Sequence, residues 1–574
     1  MDEMFLVNRS VSDRIPCCEL HYHGRIYLLD CGWDLSYLNV FLPPPAALRE
    51  SKVVSPLDLP QLDNPVVELN GGVFLNTDPF IISYALDRID WASIDAIFVS
   101  TVGSYMLLPI ILRETEFSGA IYAPRPLCEI ATNECKAIAS VPSTRPLPKN
   151  LSDLVHHLPS YRGDEYCGYS LFSSTDMERV SSLVKKVSYG EVIEHDRTVS
   201  VGCFFDGNGL TSCGWWFKPT VSKDPLTADV VYFPSDQFIA SPLTPPLQTT
   251  VIEKCRSIIF GSHPQLAESE RRDAILDMKE LNQTIQRYHN ENKVVVFLGA
   301  VDDVMIAVLT TLTKETATKG KLPLVCFVDE GDTWFFQAAS RYQFHPECLN
   351  EELKRKIIGG VPPLPWLSSE SDVVSVTSSP SRLRNASFVL FPHPQFGCSY
   401  AASLFLNYEN YEFITLSDAC CRALLEPLLP DARRLHTAWL RGPSAEVEKA
   451  AKKTRVVRAW QERGRVEMAC EANALVRLPL RQFSVKRAID VSDGLKWVER
   501  GNKELVLGGR ACPLREETPL EAVEKKARQL GEVEVKDGVV TILSTGVKLR
   551  VEGRRVVIKD AKEEDRKRVL ALFS

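Results

Sequence analysis

Several features that would assign this 574-residue sequence to a class of proteins at once are missing from it. No run approaches the ~18 apolar residues that a membrane helix needs, so no membrane partner is expected. Residues 1–4 begin a segment without the basic flank and apolar core of a secretory signal, which predicts an intracellular protein. The 16 cysteines form no CxxC pair, and we interpret the adjacent pairs Cys17-Cys18 and Cys420-Cys421 as buried thiols in a reducing compartment.

Metal-ligating side chains are also missing from the segment that follows the predicted strand 94–99. Residues 100–108, between the apolar run 94–99 and a turn expected at Pro109, contain no histidine, carboxylate or cysteine. Upstream, Asp30 follows the predicted strand end Leu28-Leu29, and a single carboxylate is expected to hold a loop by accepting backbone hydrogen bonds. His21 and His23 lie two residues apart on a predicted strand, a spacing that can serve zinc, but we favour a solvent-facing structural role.

The formal net charge of −7 conceals a contrast between the two ends of the chain. Residues 475–574 carry a net charge of +6, which leaves −13 for residues 1–474. Such a contrast indicates either a C-terminal unit with its own partner surface or simply a well-solvated basic domain.

The middle of the chain has the pattern of a parallel sheet. The length of the whole chain predicts roughly three or four domains at ~150 residues each. Continuous apolar runs, typical of strands covered on both faces, occur at 230–233, 257–260, 294–298, 324–328, 388–391 and 413–416. A helical stripe between two of them consists of Ile275, Met278, Leu281, Ile285 and Tyr288. The fold class is therefore α/β, and the Ser-rich stretch 366–385 is expected to be a mobile surface loop.

The last part of the chain predicts a compact α-β-β-β-β-α unit. A capping box at Thr518-Pro519-Leu520-Glu521 starts a helix, strands follow at 532–536, 539–543, 547–552 and 555–558, and a helix ends the chain. A unit this small buries little apolar area alone, so we expect a partner-binding surface there. The candidate partner-binding residues are Val547, Leu549 and Val551 on a strand, and Val569, Leu572 and Phe573 on the last helix. The alternative is that this helix only closes the core of its own domain.

The densest basic run lies just before this unit. Its candidate contacts for phosphate or RNA are Lys449, Lys452, Lys453 and Arg455. The three lysines are predicted on the outer face of a helix that Ser444 caps. A solvated face is the simpler interpretation; the functional one is contact with RNA phosphates, an inositol phosphate or an acidic subunit.

The order of these motifs resembles that of the metallo-β-lactamase/β-CASP RNA nucleases. The resemblance is carried by Leu29-Asp30-Cys31-Gly32, the depleted loop at 100–109, the turn Gly207-Asn208-Gly209-Leu210 and the α/β insert. It implies a metallo-β-lactamase αββα sandwich, formed by 1–260 and 412–475, with a β-CASP α/β domain inserted at 261–411. Residues 476–574 would be a small C-terminal α+β dimerisation domain.

By the same resemblance, the metal-site positions are degenerate. They fall at Asp30, Thr101, Gly103, Asn208 and Ser235, with Asp236 one residue out of register, and the first acidic β-CASP position falls at Gly261. Only Asp30 matches the family residue. The expectation is a pseudo-enzyme with no catalytic residue, no bound metal and no cofactor.

The resemblance also implies partners. A catalytically silent member would form a heterodimer with an active zinc endonuclease paralogue inside a larger nuclear complex. That complex would cleave small nuclear RNA precursors and nascent transcripts, and this chain would contact RNA weakly or indirectly. Three alternatives remain open: the inactive paralogue of the pre-mRNA cleavage and polyadenylation factor, an active hydrolase with an unconventional metal, and a stand-alone RNA-binding module.

Overall fold

The computed structural model of the chain describes most of the first 300 residues and shorter segments beyond them. The described residues are 4–10, 14–33, 41, 53–57, 66–69, 72–139, 147, 151, 155, 166–195, 198–220, 228–239, 241, 243–245, 247, 250–264, 274–299, 303–319, 324–327, 345–364, 374–377, 388–392, 410–416, 435–442, 444, 447, 449, 454–461, 465–467, 504–507, 510–513, 533–536, 539–544, 547–552 and 555–559. They divide into two compact units, one formed mainly by residues 1–481 and the other mainly by residues 482–574.

Strands dominate the described residues. In chain order they are β1 (Phe5–Asn8), β2 (Cys17–Tyr22), β3 (Arg25–Cys31), β4 (Val53–Leu57), β5 (Val66–Leu69), β6 (Gly72–Leu75), β7 (Ile81–Tyr84), β8 (Ala96–Phe98), β9 (Ala120–Pro124), β10 (Tyr166–Tyr169), β11 (Val184–Val187), β12 (Val192–Glu194), β13 (Val199–Phe204), β14 (Gly214–Pro219), β15 (Val230–Phe233), β16 (Phe238–Ile239), β17 (Ser257–Phe260), β18 (Ala274–Ile275), β19 (Val294–Gly299), β20 (Leu324–Phe327), β21 (Val374–Thr377), β22 (Phe388–Pro392), β23 (Tyr411–Thr415), β24 (Leu435–Ala438), β25 (Arg441–Gly442), β26 (Arg455–Arg458), β27 (Arg465–Glu467), β28 (Glu504–Leu507), β29 (Arg510–Pro513), β30 (Val533–Lys536), β31 (Val539–Ile542), β32 (Val547–Glu552) and β33 (Arg555–Lys559).

The described helices all lie in the first unit. They are α1 (Val102–Glu114), α2 (Arg125–Ala139), α3 (Ser174–Leu183), α4 (Thr250–Glu253), α5 (Met278–Asn290), α6 (Asp303–Lys319) and α7 (Glu351–Ile358). Short 3₁₀ turns lie at Leu86–Arg88, Trp91–Ser93, Pro346–Cys348 and Ala459–Gln461. No helix of the described residues is long and apolar enough to cross a membrane.

Two sheets pack face to face in the first unit. Sheet one has the order β11-β9-β8-β3-β2-β1-β27, and sheet two has the order β12-β13-β14-β15-β17-β26. A shared core of buried side chains from both sheets, such as Tyr27 and Trp215, lies between them. Helices α1, α2 and α3 cover the outer face of sheet one, and α4 packs against the outer face of sheet two. This layering is what the predicted αββα sandwich requires, and the predicted α/β class is confirmed.

A third sheet is built from parallel strands. Its order is β18-β24-β23-β19-β22-β20-β21, and every pairing in it is parallel. The chain leaves sheet two after β17 and returns to it at β26, which pairs with β17. The predicted parallel strands of this region are confirmed, because each lies on a described strand of sheet two or of this third sheet.

The expected end of the insert at residue 411 falls inside this third sheet. Strand β23 pairs with the central strand β19, and β24 pairs with β23. A domain boundary between 411 and 412 would separate hydrogen-bonded neighbours. We therefore propose that the insert extends through β24, where the β16–β25 pairing brings the chain back toward the sandwich.

The turn expected at Pro109 is wrong, because Pro109 lies inside α1. Proline removes one helical hydrogen bond. The residues on either side of it, including Leu108 and Ile110, are fully buried against sheet one. Burial of this apolar stretch therefore outweighs the local preference of proline.

Three smaller expectations also differ from the structure. His23 follows strand β2 in a turn with φ +51°, so it does not share a strand face with His21. Ile275 belongs to β18, and the helix starts at Met278, where Asp277 caps it. Within 366–385, strand β21 pairs with β20, so the stretch is not a continuous loop.

The second unit contains a four-stranded antiparallel sheet in the order β30-β31-β32-β33. Its predicted hairpins are confirmed. Strand β32 is internal, with β31 on one side and β33 on the other, so its backbone is not an open edge. The two predicted helices of this unit lie outside the described residues.

Candidate functional site

The positions singled out by sequence meet at one end of the sandwich. They lie at or just after the ends of β3 and β8 in sheet one and of β13 and β15 in sheet two. The Tyr232 hydroxyl donates to Asp30 Oδ2 at 2.8 Å, and the bridge between Thr101 and Ser212 joins the start of α1 to the loop after β13. We call this end the vestigial edge.

Asp30 is the central group of the vestigial edge. It is fully buried, has φ +56°, and accepts the Ser100 backbone N–H at 2.7 Å on its other oxygen. Burial raises the pKa of Asp30 from an ordinary 3.8 to about 6, against the opposing effect of these hydrogen bonds. The expected role of this carboxylate as a backbone acceptor is confirmed.

Thr101 and Gly103 serve the start of α1. Thr101 Oγ1 accepts the Ser104 backbone N–H at 3.2 Å, which makes Thr101 the N-cap. Gly103 accepts the Trp33 backbone N–H at 3.1 Å, and a Cβ at Gly103 would lie 2.9 Å from the Trp33 carbonyl oxygen. A histidine could not occupy position 103 without moving this backbone.

Asn208 is committed to hydrogen bonds on both sides of its loop. Its backbone N–H and Nδ2 each donate to Asp206 at 3.0 Å, and its Oδ1 accepts the Ile239 N–H at 2.9 Å. Asp206 is fully buried, and burial raises its pKa while Ser212, which donates at 2.5 Å, opposes the rise. Sequence analysis missed Asp206 as a functional group, although the Asp-Gly-Asn turn is a signal for side-chain capping.

Ser235 and Asp236 follow β15. Ser235 Oγ accepts the Gln237 N–H at 3.0 Å, and the Asp236 carboxylate lies 2.6 and 2.7 Å from His263 Nδ1. His263 was missed by sequence. A usable signal existed, because β15 and β17 are parallel neighbours and residues that follow them emerge side by side.

The residues at these positions do not fit a zinc centre of the kind that the family resemblance implies. Zinc requires three or four nitrogen, sulfur or carboxylate ligands in a near-tetrahedral arrangement. Thr101 caps a helix, Gly103 has no side chain, and Asn208 is held by Asp206 and Ile239. In the part of the chain that the structure describes, no three His, Cys, Asp or Glu groups are arranged to hold a metal.

Asp303 joins α6, a helix that packs against the third sheet, to the vestigial edge. It begins α6, is 1% exposed, and accepts the N–H groups of Leu210 and Thr211 at 2.9 and 3.2 Å, together with the Thr211 hydroxyl. Gly209, with φ +102°, allows the close approach, since a Cβ there would lie 2.0 Å from Asp303 Cγ. We call this contact the Asp303 clamp; the sequence patterns did not reveal it.

The basic run is divided by the structure. Lys449 is exposed, whereas Arg455 lies on β26 inside sheet two, where its N–H donates to the Arg256 carbonyl oxygen at 3.3 Å. Lys452 and Lys453 lie outside the described residues. Arg455 therefore belongs to the outermost strand in the order of sheet two.

The candidate partner-binding residues on β32 share one face. Val547, Leu549 and Val551 alternate along the strand and face Ile542, Val540 and Val556 on its neighbours. Val569, Leu572 and Phe573 lie outside the described residues, so their place in a partner surface remains a prediction from sequence.

Replacing Asp30 by Asn should change how stability depends on pH. A carboxyl whose pKa is raised on folding stabilises the folded state below pH 4, and this stabilisation is lost as the pH rises from about 4 to about 6. Asp30→Asn does not titrate, so its stability relative to wild type should rise across this window, by at most about 3 kcal/mol.

The measurement is urea unfolding of both proteins at several pH values that extend from below pH 4 to above pH 6, so that they bracket the whole window. Asp90→Asn, at an exposed carboxylate, is the control and should follow the wild-type curve. Parallel curves for Asp30→Asn and wild type would contradict the assignment of a titrating, buried Asp30.

Gly209→Ala should open the Asp303 clamp. The new methyl group would overlap the carboxylate, so we expect a loss of more than about 2 kcal/mol. Gly190→Ala is a matched control, because Gly190 has φ +80° but open space around its Cβ position, and only the backbone strain of about 1 kcal/mol applies. Hydrogen exchange at the Leu210 and Thr211 amides should accelerate only in Gly209→Ala; equal rates in both variants would refute the clamp.

Comparison with known proteins finds several similar sequences that share one description. No family model matches the chain. The Integrator complex subunit 9 homolog of Nematostella vectensis is 25% identical over 275 residues, which cover 45% of this chain and 40% of that protein. Integrator complex subunit 9 of Homo sapiens is 28% identical over 226 residues, 36% of this chain and 34% of that protein. The matched regions thus span well under half the length of these relatives.

A comparison with solved structures finds the short form of human tRNase Z, with 10% identity and a TM-score of 0.21. It covers 49% of this chain and 82% of that one, and a superposition at this TM-score carries no argument about fold or function. The sequence comparison is more informative: over more than a third of its length, the chain is distantly similar to the Integrator complex subunit 9 proteins.

Proposed function

We propose that this chain is a non-catalytic scaffold subunit of an Integrator-type RNA-cleavage module in the nucleus. It pairs with the active zinc endonuclease paralogue, Integrator subunit 11, and assembles with other Integrator subunits. The module acts in 3′-end processing of small nuclear RNA and in cleavage of nascent transcripts. The distant similarity to Integrator complex subunit 9 supports this assignment.

One observation supports the proposal that the chain is not catalytic: the described polar side chains of the vestigial edge form hydrogen bonds within the protein. Hydrolysis of RNA at neutral pH by this family needs a metal-bound hydroxide as the nucleophile. The side chains at the expected ligand positions instead cap α1, hold the Asp206–Ser212 loop, and join the two sheets through Asp30 and Tyr232. A scaffold role uses this fold without requiring the metal.

The pairing part draws on the second unit. Strands β30 to β33 place nine apolar residues on one sheet face, and this small sheet needs that face covered. They are Val533, Val535, Val540, Ile542, Val547, Leu549, Val551, Val556 and Ile558. We call this the apolar face; Ile542 on it is 1% exposed. The last predicted helix, with Val569 and Leu572, supplies further apolar surface that can be shared with a second chain.

Cleavage by the assembled pair should not depend on the one close carboxylate–imidazole pair described at the vestigial edge. Asp236→Asn and His263→Gln should leave the cleavage rate per complex unchanged within about twofold, whereas loss of the zinc ligands of the partner should abolish cleavage. Asp90→Asn serves as the surface control. A large fall in rate in Asp236→Asn, with assembly intact, would overturn the non-catalytic role and favour a hydrolase with an unconventional metal.

Capture of the active paralogue should depend on the last helix. Changing Val569 and Leu572 to Asp should reduce co-purification of the co-expressed paralogue by roughly tenfold or more, since each buried apolar side chain contributes about 1.5–3 kcal/mol. Changing Arg566 and Lys567 to Asp alters the same helix without removing apolar groups and should leave most capture intact. Both variants are compared by thermal unfolding of the full chain; retained capture by the first variant, or selective capture of a polyadenylation-factor paralogue, would refute the proposal.

A further inference from the structure

The sheet of the second unit has a second face with a very different composition. Strand register places ten residues opposite the apolar face: Glu534, Lys536, Val539, Thr541, Lys548, Arg550, Glu552, Arg555, Val557 and Lys559. We call this the charged face. It contains five basic and two acidic residues, and it accounts for half of the net charge of +6 in residues 475–574.

The basic residues of the charged face are placed close to one another rather than dispersed. Lys548 on β32 is directly opposite Lys559 on β33. Directly opposed like charges on neighbouring strands destabilise a sheet. Of the two acidic positions on the charged face, Glu534 lies on the edge strand β30 and Glu552 is opposite Arg555 at the end of β32. An anion bound across such a pair offsets this repulsion.

We propose that the charged face binds the phosphate backbone of single-stranded RNA. Residues two apart on a strand, such as Lys548 and Arg550, are about 6.8 Å apart. This spacing suits successive phosphates of an extended strand. The proposal concerns this chain's own contact with RNA and does not rest on the proposed pairing with a nuclease.

The composition of the charged face favours RNA over a protein partner. Lysine is depleted at the cores of protein interfaces, which are enriched in aromatic residues and methionine. The charged face has three lysines, and residues 531–560 contain no aromatic residue and no methionine. Without aromatic side chains, the charged face also lacks the stacking platform that binds bases most strongly. Binding is therefore insensitive to base sequence and strongly dependent on salt.

Alternate residues of β32 lie on opposite faces of the sheet, so the residues proposed to bind RNA differ from those proposed to bind the partner. Val547, Leu549 and Val551 lie on the apolar face, and Lys548 and Arg550 lie on the charged face. Substitutions on the charged face therefore leave the apolar face unchanged. RNA binding and capture of the nuclease partner can be measured independently in the same variants.

The test uses the full chain and a fluorescein-labelled 20-residue oligouridylate, followed by fluorescence anisotropy from 50 to 300 mM KCl. The triple variant Lys548→Gln, Arg550→Gln, Lys559→Gln should raise Kd roughly tenfold or more at the lowest salt. It should also reduce, by about 2, the steepness with which the logarithm of the association constant falls as the logarithm of the KCl concentration rises. The control triple variant Lys136→Gln, Arg179→Gln, Lys279→Gln removes the same charge from exposed helical positions and should change neither quantity by more than about twofold.

A gain-of-function variant guards against a folding defect. Glu552→Gln removes an acidic residue from the charged face and should tighten binding, while all variants are checked for unchanged thermal unfolding. Equal losses in the two triple variants, no loss in either, or weaker binding by Glu552→Gln would overturn the proposal. So would displacement of the RNA by polyglutamate of equal charge at the same concentration as unlabelled RNA, because that result identifies an acidic protein surface as the preferred partner.

Discussion

Buried carboxylates join the layers of the first unit to one another. Asp30 connects sheet one to sheet two through the Tyr232 hydroxyl, and Asp303 connects the first turn of α6 to the loop after β13. A buried carboxylate without donors would cost several kcal/mol, so each fixes the position of the backbone that surrounds it. Asp206 does the same within its loop. These hydrogen bonds therefore add to the apolar core in fixing sheet one against sheet two, and α6 against the loop after β13.

The same hydrogen bonds account for the chemistry of the vestigial edge. In a metal hydrolase, the side chains at this end of the sandwich would point their donor atoms at an ion. Here Thr101 accepts from the first turn of α1, and Asn208 donates to Asp206 while accepting from Ile239. Because Thr101 and Asn208 satisfy neighbouring groups, the fold accommodates residues that a two-zinc site could not use. The described polar groups of this edge therefore act as a structural joint.

Much of the architecture could be predicted from the sequence, because continuous apolar runs identify parallel strands and glycine-containing turns identify hairpins. The strands β15, β17 and β19 and the hairpins of the second unit illustrate this. What could not be predicted depends on contacts between distant segments. Pro109 is tolerated inside α1 only because its neighbours are buried against sheet one. Asp303 has no local signature, since its partners lie 92–93 positions away in sequence. The signal for His263 depends on the pairing of β15 with β17, because its partner Asp236 lies 27 positions away.

The pairing of the outermost strands sets a constraint on how the chain can fold during synthesis. Strand β1 pairs with β27, and β17 pairs with β26, although all the strands of the third sheet lie between β17 and β26 in the sequence. At about 5–20 residues per second, a ribosome needs roughly 20–90 s to pass from β1 to β27. During that time the hydrogen-bonding edges of both sheets are exposed to other nascent chains, which is the condition under which strand edges aggregate. The order of the strands therefore makes this protein a strong candidate for protection by chaperones until its last sandwich strand is translated.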